Sequence, residues 1–120
     1  MAEHLDTGKQ GEDKATEFLA DKGYEIIVRN YRYRHAEIDI IAKKNKILVF
    51  VEVKTRTNLS YGMPEEFVDA TKRRLIMKAA ENYIFDRDWH GDIRFDVVSV
   101  IINSGTVKVH HIEDAFYWAT

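Results

Sequence analysis

The stretch EIDIIAKKNKILVFVEVKTR, residues 37–56, decides how this chain folds. Five apolar residues, Ile47 to Val51, suit a strand buried on both faces. The run passes without a break into Glu52, Val53 and Lys54. Ahead of it KKNK reads as a tight turn, and AEIDIIA as a preceding strand. With the turn centred on KKNK, residues paired across the hairpin sum to 89, so Ile41 faces Leu48, Asp39 faces Phe50 and Glu37 faces Glu52. Alternation then sends Glu37, Asp39, Glu52 and Lys54 out of one face of the sheet. Like charges placed opposite each other destabilise a sheet, and carboxylates at the edge of an apolar surface cost more still. Lys54 can compensate, and a divalent cation does so better, because hard ions such as Mg²⁺ take carboxylate oxygens, carbonyls and water. The plain alternative is a solvated strand end where Glu52 and Lys54 form an ordinary surface ion pair.

The flanking sequence supplies the remaining elements. Thr7 with Gln10 three residues later fits a capping box, which predicts a helix starting there. Ala15, Phe18, Leu19 and Lys22 keep helical spacing, and Gly23 is a natural C-cap. Gly8 and Gly11 are poor choices for a first helical turn unless the backbone must approach something closely. Glu12 borders the face of this helix that should pack on the sheet, although an acid in a first turn also suits the helix dipole. YEIIVRNYRYR reads as the first strand. After the polar loop RTNLSYGM, Pro64 marks a plausible start for a second helix, broadly 65 to 85, outlined by Val68, Leu75, Ile76, Ala79, Ala80 and Tyr83. IRFDVVSVII and VKVHHI, joined by NSG, are two further strands. The expectation is one α/β domain over residues 1–120, in the order αβββαββ, with helices covering a mixed sheet.

Composition narrows the function classes. Without cysteine, disulfides and thiolate zinc sites are excluded. The segment MAEHLDTGKQGEDK has no apolar h-region and no run approaches a membrane span, so a cytoplasmic location and no membrane partner are expected. The net charge of −2 hides an asymmetry. Between Lys22 and Lys78, 13 Lys and Arg stand against 7 Asp and Glu, a balance of +6; the other residues hold 5 against 13, or −8. A basic middle permits a surface that faces a polyanion.

The combination GEDKATEFLADKGYEIIVRNYRYRHAEIDIIAKKNKILVFVEVKTRT, continued by YGMPEEFVDATKRRLIMKAAENYI, RFDVVSV and HHIEDAF, closely resembles the YraN-like bacterial family. That family is functionally uncharacterised and is placed in the PD-(D/E)xK nuclease superfamily, similar to archaeal Holliday-junction resolvases. The resemblance implies a restriction-endonuclease-like core. Asp39, Glu52 and Lys54 stand at the superfamily signature, and Glu12 at the first-helix glutamate of the resolvase-like branch. Ile38 replaces the proline of the signature's name, and His35-Ala36 stands where relatives often have glycine.

What the resemblance implies is a metal-dependent endonuclease acting on structured or branched DNA. Asp39, Glu52 and the Val53 carbonyl would hold Mg²⁺ or Mn²⁺, with Glu12 direct or through water, and Lys54 would orient the attacking water or offset charge in the transition state. Arg32, Arg34, Arg56, Lys72, Arg73 and Arg74 offer phosphate contacts, and Tyr31, Tyr33 and Tyr61 are candidates for stacking on unpaired bases, though strand aromatics more often pack. The loop Thr57–Gly62 is a candidate for closing over a substrate. His110 and His111, as neighbours on a strand, read as structural, and Asp96 as a partner for Arg94 or a helix cation. Symmetric cutting of a junction would need a homodimer. The alternatives are a non-catalytic nucleic-acid-binding module that keeps the nuclease fold, and a protein adaptor docking through HIEDAFYWAT, with Phe116, Tyr117 and Trp118 as an aromatic cluster.

Overall fold

A computed structural model describes residues 2–57 and 68–117, with side chains from Thr7 onward. Helix α1 (Ala2–Asp21) leads into strands β1 (Glu25–Tyr33), β2 (Ala36–Lys44) and β3 (Ile47–Arg56). Helix α2 (Ala70–Asp86) then crosses to β4 (Asp92–Asn103) and β5 (Thr106–Phe116). The expected order, αβββαββ, is what the chain adopts. The five strands lie in sequence order across one mixed sheet, with β3 and β4 parallel and the other neighbours antiparallel. A parallel pair cannot be joined by a tight turn, which is why a helix lies between β3 and β4.

The apolar run proves to be the centre of the molecule. Leu48 and Phe50 enter the core under α2 with Ile76, Met77, Ala80, Tyr83 and Phe95. Val49 and Val51 enter the core under α1 with Ala15, Leu19, Ile40, Val98 and Val100. Phe50, Phe95 and Phe116 form a stack, with ring centroids 5.5 and 5.1 Å apart. Of the carboxy-terminal aromatics, Phe116 is therefore core, Tyr117 is exposed, and Trp118 lies outside the described residues.

Three boundaries differ from expectation. The first helix begins at Ala2 and runs through Thr7, because Ala, Glu and Leu upstream are strong helix formers and carry it past the predicted start. The second described helix starts at Ala70, where Asp69 accepts a hydrogen bond from the Lys72 N–H at 2.8 Å; Pro64 lies outside the described residues. The β2–β3 turn is the pair Asn45–Lys46, both at positive φ (52° and 68°), the signature of a two-residue type I′ turn. That moves its centre by one residue, so the observed pairs sum to 91, with Ile41 opposite Phe50 and Ile40 opposite Val51. Glu37 does not face Glu52; it pairs across to Arg32 on β1, 4.0 Å away.

Two specific contacts fix α1 on the sheet. At its carboxy-terminal end Gly23 has φ 94°, and the Tyr24 N–H returns to the Leu19 carbonyl at 3.0 Å, closing the helix. Nearby, the buried Asp96 receives both Arg94 Nε (2.9 Å) and Nη2 (2.8 Å), His111 Nε2 (2.7 Å) and the Asp114 N–H (2.9 Å). Lys22 of the helix terminus donates to His111 Nδ1 at 2.9 Å, which leaves Nε2 as the protonated nitrogen. His111 and Asp96 are thus structural, as expected. Midway along the helix, not in its first turn, Gly11 lies against β3: a Cβ there would sit 2.8 Å from the Thr55 Cβ. Gly8 has open space around it.

The two glycines give opposite predictions. Gly11→Ala should destabilise the protein by about 1–3 kcal/mol through overpacking. Gly8→Ala should be neutral or stabilising by up to ~1 kcal/mol, the helix-propensity difference. Urea denaturation followed by circular dichroism reads both.

Candidate active site

The expected residues meet at the end of β3, but not on one face. Ile38 and Ile41, three residues apart, both enter the α2-side core, so strict alternation fails between them. The regular β2–β3 pairing ends at Ile40 and Val51. Beyond it the Val53 N–H donates to Asp39 Oδ2 at 2.7 Å. Asp39 opens into a cleft of about 300 Å³ that it lines with Gly8, Lys9, Glu12, Asn30, Val53 and Thr55. Glu52 reaches toward α2 instead. The single projecting face expected from alternation is corrected to two carboxylates that meet across a strand edge from either side.

Glu52 is 5% exposed, unusual for a carboxylate. Its Oε2 lies 3.3 Å from Lys72 Nζ and 3.7 Å from Lys54 Nζ. Its Oε1 is buried without a hydrogen-bond donor. Burial, and then the neighbouring Glu52 charge, push Asp39 up to about 7 despite the Val53 N–H.

Glu12 is placed in the same cleft by the α1–β3 approach at Gly11. Arg29 Nη2 holds its Oε1 at 2.8 Å and Asn30 Nδ2 holds its Oε2 at 2.7 Å. Arg29 also bonds Asp13 at 2.8 Å, which raises the guanidinium and lowers Asp13. Asn30 adopts φ 56°, which Asn tolerates better than most residues, and this turns its amide toward α1. Sequence reasoning missed Arg29 and Asn30. The available signal was an Asn inside IIVRNYRY, a residue that strands disfavour.

The expected phosphate-contacting cations divide. Lys72 belongs to the carboxylate cluster and lies nearer Glu52 than Lys54 does. Arg73 Nη1 bonds the Val68 carbonyl at 2.6 Å, inside its own helix start. Arg32, 72% exposed, and Arg34 lie on β1 and the turn after it. Arg74 is exposed on α2, and Arg56 is half-buried at the end of β3. Tyr31 packs edge-on to Tyr83 and bonds Asn82; Tyr61 and the loop beyond Thr57 lie outside the described residues.

A hard cation suits part of this arrangement. Two abutting carboxylates, one with an unpartnered buried oxygen, leave negative charge that a divalent ion would neutralise, and the Val53 carbonyl supplies a third oxygen. Glu12, with both oxygens already engaged, stands behind that set. Among the described residues no three Asp, Glu or His side chains converge closely enough to form a complete ligand group by themselves.

A mixed sheet between two helices, with an acid–acid–lysine set where β2 parts from the central strand, defines an α/β protein of the restriction-endonuclease-like architecture. The chain belongs to the family described as "Uncharacterised protein family UPF0102", whose model matches residues 11–100. It is 49% identical to a UPF0102 protein of Flavobacterium psychrophilum over 117 residues, 98% of each chain. It is 46% identical to one of Persephonella marina over 110 residues, 91% of each chain, and 44% identical to one of Bacteroides thetaiotaomicron over 98% of this chain and 97% of the relative. Among the described residues no helix is long and apolar enough to cross a membrane.

Asp39 carries a pH signature. Its folded-state pKa of about 7 lies above the ordinary 3.8, so it favours folding fully below about pH 4 and loses that contribution as pH rises through about 7. Asp39→Asn keeps an acceptor for Val53 but cannot ionise. Thermal melts should show the variant losing less stability than wild type between about pH 4 and 8, and exceeding it by about 1–3 kcal/mol at about pH 8.

Proposed function

We propose that this protein is a metal-dependent endonuclease that hydrolyses phosphodiester bonds in structured or branched DNA. The observation that carries the reading is the electron-rich pair Asp39 on β2 and Glu52 on β3, where the two strands part, with two lysines, Lys54 and Lys72, on the Glu52 carboxylate. Asp39, Glu52 and the Val53 carbonyl would hold Mg²⁺ or Mn²⁺, and Glu12, fixed by Arg29 and Asn30, would act on it through water. When bound, such an ion supplies Lewis acidity toward the phosphate and lowers the pKa of water. Asp39 would hold such an ion as an anion, so that ion binding would be linked to loss of its proton. Lys54 positions the attacking water or offsets charge developing on the phosphorane, and Lys72, freed from Glu52, can do the same from α2. Arg32, Arg34 and Arg74, all exposed, would contact phosphates without reading sequence. Symmetric cutting of a branched substrate would take two copies of the chain.

One observation favours the non-catalytic reading. Glu12 is fully hydrogen-bonded and Glu52 already has two ammonium partners, so the cluster is partly neutralised without any ion. In that case the fold binds nucleic acid and does not cut it.

Labelled four-way-junction, flap, single-stranded and duplex DNA, each incubated with Mn²⁺, Mg²⁺ or EDTA, separates the two. Metal-dependent cutting is expected, lost to background in Glu52→Ala and reduced at least about 100-fold in Lys54→Ala. Salt-sensitive binding with no cutting under any metal would select the binding module. Mn²⁺ should also raise the melting temperature of the wild type at about pH 8, and raise it less in Asp39→Asn.

A further inference from the structure

The turn between β1 and β2 and the outer face of α2 enclose a groove of about 590 Å³, lined by Tyr33, Arg34, Lys78, Glu81, Asn82 and Phe85. Phe85 is 88% exposed, whereas Tyr83 two residues earlier is buried in the core. A phenyl ring kept in water on an otherwise polar helix face has no packing role in the described chain. The groove wall opposite it is built. Asn82 Nδ2 donates to the Tyr31 hydroxyl at 2.7 Å, and Tyr31 packs edge-on against Tyr83 at 5.3 Å. Arg34, held at φ 58°, lays its guanidinium over the Tyr33 ring, 5.3 Å from the centroid. Neither Arg34 nor Lys78 forms an ion pair with a carboxylate among the described residues. Arg74 stands one turn before Lys78 on the exposed helix face, so cations run along the helix toward the ring.

We infer that this groove binds unpaired, single-stranded nucleic acid, a base stacking on Phe85 while Arg34 and Lys78 meet the adjacent phosphates. The inference rests on the nuclease reading only for its purpose, namely that the substrate presents a single-stranded or splayed segment beside the cut. Bases within a duplex are already stacked on one another and cannot offer a face to Phe85; an unpaired base can, and does so whatever its identity. The two unpaired cations supply the charge complement of a polyanion. Lys72, which touches Glu52, lies 13 residues before Phe85, about 20 Å along the axis of the same helix.

Binding is measured in EDTA, so that it is independent of cutting, by fluorescence anisotropy of a labelled oligothymidine and of a hairpin duplex of equal charge. Phe85→Ala, whose side chain is exposed and whose melting temperature should be unchanged, is expected to weaken oligothymidine binding about 5- to 100-fold, with duplex binding altered less than twofold. Phe85→Tyr should restore it. Equal oligothymidine affinity in wild type and Phe85→Ala overturns the inference and leaves the cleavage reading standing. A wild type that binds neither DNA overturns it as well. If Phe85→Ala leaves oligothymidine affinity intact but converts a dimer to a monomer in sedimentation, the ring is a contact between copies and the inference falls.

Discussion

A carboxylate at the buried end of the central strand is the constraint around which this molecule is arranged. Strand β3 is covered on both faces, and its side chains from Leu48 to Val51 exclude water completely. The next residue, Glu52, continues that strand and stays in the same dry environment. An isolated ionised group there would be prohibitively unfavourable. Everything adjacent answers that charge. Lys54 follows two residues on, Lys72 is brought over by α2, and Asp39 gives way by holding its proton to higher pH.

Two aspartates show how such an environment separates structural from chemical roles. Asp96 is more deeply buried than Asp39, and burial alone would raise it. Hydrogen bonds from His111, Arg94 and the Asp114 N–H outweigh that effect, and its pKa is lowered. Its charge is fully spent in tying β4 to β5 and to the end of α1. Asp39 receives one N–H and faces another carboxylate, and its pKa is raised. A saturated carboxylate has nothing left to offer a ligand. An under-compensated one beside a cleft has, which is the physical reason to look for chemistry at Asp39 and not at Asp96.

The sequence showed the architecture because its signals there are local. The apolar run of β3, the glycine after α1 and the 3.6-residue pattern of α2 each fix one element without reference to the others. Residues 39, 52 and 54 were legible as a group because a tight hairpin brings them to the same end of the sheet whichever of the two registers its turn selects. What did not show was any break in regularity. The shift at Asn45–Lys46 depends on which two residues of KKNK take positive φ, a choice settled by backbone twist. The failure of alternation between Ile38 and Ile41 has no marker in the apolar pattern IDII. Arg29, Asn30 and Lys72 come to the site from elements distant in sequence, so no spacing rule points to them. Gly11 was legible as an oddity, and its partner Thr55 was not.

The break in alternation has a consequence for the chemistry. Had Asp39 and Glu52 projected from one face, both would have been served by the same helix, and the cleft under α1 would hold no acid from the sheet. Because β2 is paired with β3 only from Ile40 onward, Asp39 opens toward Glu12 and α1 while Glu52 opens toward Lys72 and α2. The carboxylate pair therefore sits at a seam between the two helical layers, with an acid-lined cleft on one side and cations on the other. On the proposed function, a phosphodiester placed across that seam would meet an acidic side and a lysine side at once. That division of labour is the one hydrolysis of a charged backbone calls for: oxygens to hold a positive ion, and ammonium groups to balance the charge that develops on the phosphate.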